Sequence, residues 1–151
     1  MMRATTLTPR GTRRGSRTTG FALALAVLTA AAVLAGCGSG WEAARLDQAG
    51  WRVLAVDYSS AAIARAAHLL GARSARVLRR ADFFELQEPA FDWIYERTFL
   101  PALVPARWPA WGRKVASLTR PGGVLAGFFL IEEIAAAPPR RGPPFGGSRG
   151  E

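Results

Sequence analysis

An apolar run ending at Val33-Leu34-Ala35 gives way to Gly36-Cys37-Gly38-Ser39-Gly40, and a second, Val53-Leu54-Ala55-Val56, ends in a lone acid, Asp57. Those residue types at that spacing suit the binding of a nucleoside cofactor. Parallel strands deliver their ends to one edge of a sheet, glycines let the backbone approach a ligand, and an acid at the tip of the next strand accepts hydrogen bonds from both ribose hydroxyls. Other chemistry is thinly represented. The single histidine, His68, falls in a helical pattern where a surface or packing role is the ordinary one, and the single cysteine, Cys37, reads as a small packed side chain of the glycine loop.

The elements that must position these residues follow at regular spacing. Trp41 to Ala49 reads as a short helix with Ala43, Ala44 and Leu46 inward, stopped by Gly50, and Trp51 to Asp57 reads as a buried strand. Ser59 or Ser60 caps the next helix, in which Ile63, Ala66, Ala67 and Leu70 share a face and which Gly71 ends. Ala75 to Leu78 reads as a third short strand and Phe91 to Tyr95, bounded by Pro89, as a fourth. Trp108, Trp111, Val115 and Leu118 then step by three or four residues along a helix that starts near Pro105 and stops before Pro121-Gly122-Gly123. Val124 to Ile131 closes the series as a fifth strand. Alternation of this kind implies right-handed crossovers, a parallel sheet and an α/β fold.

A length of 151 residues allows one domain, and the net charge of +9 lies mostly at its ends. Residues 1 to 41 carry five Arg and no acid, whereas residues 42 to 135 hold twelve Lys or Arg against ten acids. Basic, solvated ends are a simpler account of that charge than a nucleic-acid surface, so no nucleic-acid partner is expected. One cysteine leaves no internal disulfide framework and fits a reducing, cytoplasmic setting. Residues 1–20 read as a basic disordered leader, 21–135 as the domain, and 136–151 as a Pro/Gly/Arg-rich tail, disordered from Pro138 to Glu151.

The head of the chain supports a competing reading. Arg3, Arg10, Arg13, Arg14 and Arg17 precede the apolar run Phe21 to Leu28, and Ala30 to Leu34 continue it, which is the build of a secretory signal. Leu34-Ala35-Gly36-Cys37 resembles the lipobox of bacterial lipoproteins, in which the cysteine is lipidated and becomes the mature N-terminus, anchored to a membrane. Lipidation and cofactor binding compete for the same residues. Cleavage before Cys37 would remove the strand that carries the glycine loop, and the strand and helix alternation downstream favours the cofactor.

Five segments in order carry a further resemblance. Gly36-Cys37-Gly38-Ser39-Gly40, Val56-Asp57-Tyr58-Ser59, Ala81-Asp82-Phe83-Phe84, Phe91 to Phe99 and Arg120-Pro121-Gly122-Gly123 resemble the motifs of class I S-adenosylmethionine-dependent methyltransferases. Asp82-Phe83-Phe84, Glu96-Arg97-Thr98-Phe99-Leu100 and Gly142-Pro143-Pro144-Phe145 are similar to the thiopurine and thiol or halide methyltransferase group. The resemblance covers about residues 33 to 146. It implies a Rossmann-like sheet of about five parallel strands, S-adenosylmethionine as cofactor, and methyl transfer to a small, soft, thiol-like nucleophile.

Carried over by residue, the resemblance implies that Gly36, Gly38 and Gly40 wrap the methionine part of the cofactor, that Asp57, followed by Tyr58, holds the ribose, and that Asp82 and Phe83 face the adenine. Glu96 lies where such enzymes often place groups near the methyl donor. Each has a plainer alternative: a strand-end Asp also caps helices, Phe83 also suits a core, and Glu96 also suits a solvated loop. No catalytic residue is assigned and no metal is expected, because a sulfonium is already an activated donor that a thiolate attacks in line without a dedicated base. Complete members of the resembled group carry helices before the first strand and an antiparallel strand pair after the fifth. An Arg- and Thr-rich head and an end at Glu151 stand in their place here. The expectation is a partial domain, lacking the antiparallel pair, that binds cofactor weakly and turns over poorly, or a non-catalytic remnant.

Overall fold

Hydrophobicity on both sides of a strand marks it for the middle of a sheet, and Ala31–Ala35 is buried at every position. This strand, β1, is the centre of the architecture in the computed structural model, which describes residues 30–88, 90–131 and 142–146. The leader, the apolar run 21–29, Pro89 and most of the tail lie outside the described residues. The order of the sheet is β3-β2-β1-β4-β5, all parallel among the described residues. β2 is Arg52–Asp57, β3 Leu78–Arg80, β4 Phe91–Arg97 and β5 Thr119–Phe128. Val33 pairs with Leu54 on one side and Ile94 on the other, so β1 joins the two halves.

Helices cover both faces. On one, α1 (Trp41–Gln48), α2 (Ser60–Leu70) and the short α3 (Ser74–Val77) pack Ala43, Ala44, Leu70 and Val77 against Leu34, Val53 and Ala55. On the other, α4 (Trp108–Leu118) sends Trp111, Val115 and Leu118 onto Ala31, Val33, Ile94 and Phe91. That is the apolar stripe its spacing predicts, except that Trp108 is only half-buried and donates from Nε1 to the Leu103 carbonyl at 3.2 Å.

Capping follows the sequence closely at α2. Ser59 is the N-cap, its hydroxyl accepting from the Ala62 N–H at 3.3 Å, and Gly71 ends the helix with φ 58°. Three boundaries need correction. Ala75 to Leu78 is not the third strand: Ser74–Val77 is a helical turn with Val77 buried, and the strand is Leu78–Arg80. Pro105–Arg107 is a separate 3-10 turn before α4, because Trp108 and Pro109 begin the helix proper. The fifth strand begins at Thr119 and ends at Phe128 rather than running from Val124 to Ile131, since Phe91 pairs with Thr119 and a bulge precedes the Trp93–Val124 pair.

Ion pairs hold the periphery. The Asp47 carboxylate, on the inner end of α1 and nearly inaccessible, accepts from both Arg73 and Arg76, fastening α1 to the turn that leads into β3. At the base of the sheet Asp92 Oδ2 accepts from the Ala31 N–H at 2.7 Å and Oδ1 from Arg120, linking β1, β4 and β5. These contacts lower the Asp92 pKa from its ordinary value, with the Ala31 N–H as the main cause.

Candidate functional site

Two strand tips and one glycine turn build the site. β1 ends at Ala35, and Gly36 (φ 61°), Gly38 (φ 53°) and Gly40 (φ 78°) all adopt left-handed backbone that side chains disfavour. The turn is closed by the Gly40 N–H donating to the Cys37 carbonyl at 2.8 Å and tied to β2 by the Cys37 N–H donating to the Val56 carbonyl at 2.9 Å. Asp57, at the tip of β2, accepts from the Gly38 N–H through Oδ2 at 3.1 Å and from the Ser59 N–H through Oδ1 at 2.9 Å. A carboxylate has about four lone-pair positions, so among the described residues about two acceptor positions stay open to a ligand.

The three glycines differ in what they make room for. A Cβ on Gly38 would meet nothing within 4 Å, so its backbone faces open space that a ligand can enter. On Gly36 it would come within 2.7 Å of the Phe99 ring, and on Gly40 within 2.8 Å of the Ala66 Cβ. Gly40 therefore lets α1 begin close against α2, and it does not line the clefts described next.

Two adjoining clefts open at this edge of the sheet and share Gly36, Gly38 and Thr98 as a dividing ridge. The larger, about 640 Å³, is lined by Asp57, Tyr58, Ser59, Asp82 and Phe83, by Arg65 of α2, and by Thr98, Phe99, Leu103 and Arg107 from the segment after β4. The smaller, about 440 Å³, is lined by Leu34 to Ser39, Trp41, Glu42, Tyr95, Arg97 and Thr98. They meet where the crossover direction reverses between β1 and β4, the place where open α/β sheets bind ligands.

The residues singled out by sequence divide accordingly. Gly36, Gly38, Asp57, Tyr58, Asp82 and Phe83 come together around the larger cleft, Tyr58 being 76% exposed at its rim. Asp82 also caps a 3-10 turn, its Oδ1 accepting from the Phe84 N–H at 2.9 Å. Phe83 is 2% exposed and belongs to the core, so the ring serves as cleft wall and core at once. Glu96 is not among the residues that line either cleft, and at 1% exposed it is a buried side chain rather than a solvated loop acid. Burial, its main perturbation, raises the Glu96 pKa against the lowering effect of the N–H groups of Leu100 and Phe99. His68 is exposed on α2 and lines neither cleft.

Cys37 is buried within the glycine turn. Burial, with the Asp57 charge as the next cause, pushes its thiol up to about 12, so it holds its proton at neutral pH and makes a poor nucleophile. Sequence reasoning gave no site role to Trp41 or Arg107, and quoted Arg97 and Thr98 only as part of the motif Glu96 to Leu100. Thr98 holds the ridge in left-handed backbone at φ 64°, uncommon for a β-branched residue, and Arg107 lies over the Phe84 ring at 4.0 Å. The motif Glu96 to Leu100 and the place of Thr98 just past a strand end were the sequence signals for it.

A parallel sheet in this order, with a glycine turn after β1 and an acid at the tip of β2, is the Rossmann-like fold that class I methyltransferases share with dinucleotide-binding proteins. Within it, the chain belongs to the thiopurine S-methyltransferase (TPMT) family, whose profile matches residues 21–149. It is 33% identical over 115 residues to a "Probable thiol methyltransferase 2" of Arabidopsis thaliana, covering 72% of this chain and 50% of that protein. The chain thus spans about half the length of that curated relative. Among solved structures it is similar to a SAM-dependent methyltransferase from Bacteroides fragilis in complex with S-adenosyl-L-homocysteine, at 27% identity and a TM-score of 0.54, covering 69% of this chain and 44% of that one. Burkholderia thailandensis 1,6-didemethyltoxoflavin-N1-methyltransferase, bound to 1,6-didemethyltoxoflavin and S-adenosylhomocysteine, shares the fold at 24% identity and a TM-score of 0.60, covering 77% and 52%. The cofactor of this family is S-adenosylmethionine.

Proposed function

We propose that the chain binds S-adenosylmethionine across the two clefts and transfers its methyl group to a small, soft nucleophile of the thiol class. The observation that carries this is Asp57, whose carboxylate keeps acceptor capacity beside the open backbone of Gly38. In this reading Asp57 takes the ribose hydroxyls, Asp82 and Phe83 border the adenine, and Gly36 and Gly38 leave room for the methionine end in the smaller cleft. The residues fit such a group: a ridge of small residues separates two connected volumes, and an acid stands at their junction.

A bound sulfonium supplies the activated methyl group, so the protein's share is alignment and exclusion of water. No histidine lines either cleft, and the Cys37 thiol stays protonated, which suits an acceptor that arrives as its own nucleophile. The relative named as a probable thiol methyltransferase points the same way. Lipidation at Cys37 would require loss of β1, which pairs with both β2 and β4, and this supports a cytoplasmic chain that keeps its glycine turn for the cofactor.

Calorimetric titration with S-adenosylhomocysteine tests the reading without needing the acceptor. Micromolar binding is expected, weakened by about 1 to 3 kcal/mol in Asp57→Ala through loss of charge-assisted hydrogen bonds. A folded chain that shows no heat of binding would remove the proposal, and an unchanged Asp57→Ala would remove that residue from the site. Methyl transfer to a panel of thiols then addresses the acceptor.

A further inference from the structure

Glu96 is a carboxylic acid inside an apolar core, and burying such a group is costly unless its hydrogen bonds do something in return. It sits on β4 at the point where the strand leaves the sheet. Its Oε1 accepts two backbone hydrogen bonds, from Phe99 at 2.9 Å and Leu100 at 3.0 Å, while Oε2 is buried without a partner among the described residues. Between the acid and those two N–H groups lies Thr98, in its unfavourable left-handed conformation. A backbone of that kind persists only when its surroundings over-determine it.

What the turn places is the Phe99 ring. It lies on Gly36, where any side chain would collide with it, and its centroid is 5.5 Å from that of Phe83 and 6.4 Å from that of Phe84. One aromatic ring thus touches the glycine turn after β1 and the segment after β3 together. Thr98 and Phe99 also line the larger cleft, which Asp57 lines as well.

We propose that Glu96 is a positioning residue: it clamps the Thr98–Phe99 turn so that Phe99 seals the glycine loop and shapes the adenosyl side of the cofactor site. Glu96 does not itself line either cleft, and its bond to Phe99 reaches only the backbone of a lining residue, so its influence on binding passes through the turn. The proposal rests on the cofactor reading above.

The test combines titration of S-adenosylhomocysteine with amide exchange of the unliganded protein, for wild type, Glu96→Ala, Glu96→Gln and Phe99→Ala. In Glu96→Ala the amides of Phe99 and Leu100 exchange faster and the dissociation constant rises at least tenfold. Glu96→Gln, whose amide oxygen accepts the same two bonds, restores protection and brings the constant to within about threefold of wild type. Phe99→Ala weakens binding with Glu96 in place, and it carries the test should Glu96→Ala not fold. Wild-type affinity in Glu96→Ala or in Phe99→Ala overturns the clamp, as does Glu96→Gln behaving like Glu96→Ala. If wild type itself does not bind, the cofactor reading fails, and unchanged exchange at Phe99 and Leu100 in Glu96→Ala then overturns the clamp separately.

Discussion

Two buried acidic groups, the Cys37 thiol and the Glu96 carboxyl, can be told apart by titration. The Cys37 thiol is raised to about 12 by burial and by the Asp57 charge. Maleimide labelling of the folded chain at pH 7.5 is therefore expected to be slow, and fast once urea exposes the thiol; rapid labelling without denaturant would contradict the packed role. For Glu96 the sign follows from its raised pKa. In the interval between the ordinary glutamate value and the folded one, the native state binds more protons than the unfolded state, so folding stability contributed by this group is present at low pH and is lost as pH rises through that interval. Urea unfolding of wild type and Glu96→Gln as a function of pH should show wild type losing ground to the variant on going up in pH, with a constant difference below the usual glutamate range. A difference that does not change with pH would mean that the carboxyl is ionised at no cost.

At the scale of elements, the contact between α1 and α2 depends on one missing side chain. Gly40 combines a left-handed backbone with an Ala66 Cβ that a methyl group would strike. Gly40→Ala is expected to destabilise the fold by about 2 kcal/mol, read from the urea midpoint. Gly38→Ala has the strain without the clash, and should fall short of that loss while impairing the cofactor site more. How much of this was legible varies by element. β1, β2 and the inward face of α4 were readable because their apolar pattern is set by burial that the sequence records directly. Ser59 and Gly71 were readable because helix ends need particular atoms. β3 was misplaced because Val77 is apolar and buried in a helical turn as much as in a strand, and three residues are too few to show a period. The site was legible where chemistry and position coincide, at Gly38 and Asp57. Glu96 was not, because whether a strand-end acid points to solvent or inward depends on the register with β5, where Gly127 leaves no space above the Glu96 backbone.

On the scale of the whole molecule, the proposed ligand touches both halves of the sheet: Asp57 and Asp82 belong to the β2–β3 side, Thr98 and Arg97 to the β4 side. Binding that joins them should stabilise the fold as a unit. S-adenosylhomocysteine at one hundred times its dissociation constant is expected to add about 2.7 kcal/mol, seen as a raised Tm in a single transition; in Asp57→Ala the same concentration should give a smaller rise. A Tm indifferent to ligand would argue that no site spans the two halves. The position of β1 has a temporal consequence as well. Its contact with β4 joins residues 61 apart, Ala31 and Asp92, whereas its pairing with β2 needs a much shorter stretch of chain. At about 5 to 20 residues per second a ribosome needs about 3 to 12 s to add the intervening stretch. Throughout that interval the most apolar strand of the protein has one edge without its neighbour, so a nascent chain offers chaperones and proteases a window that closes only when β4 is made.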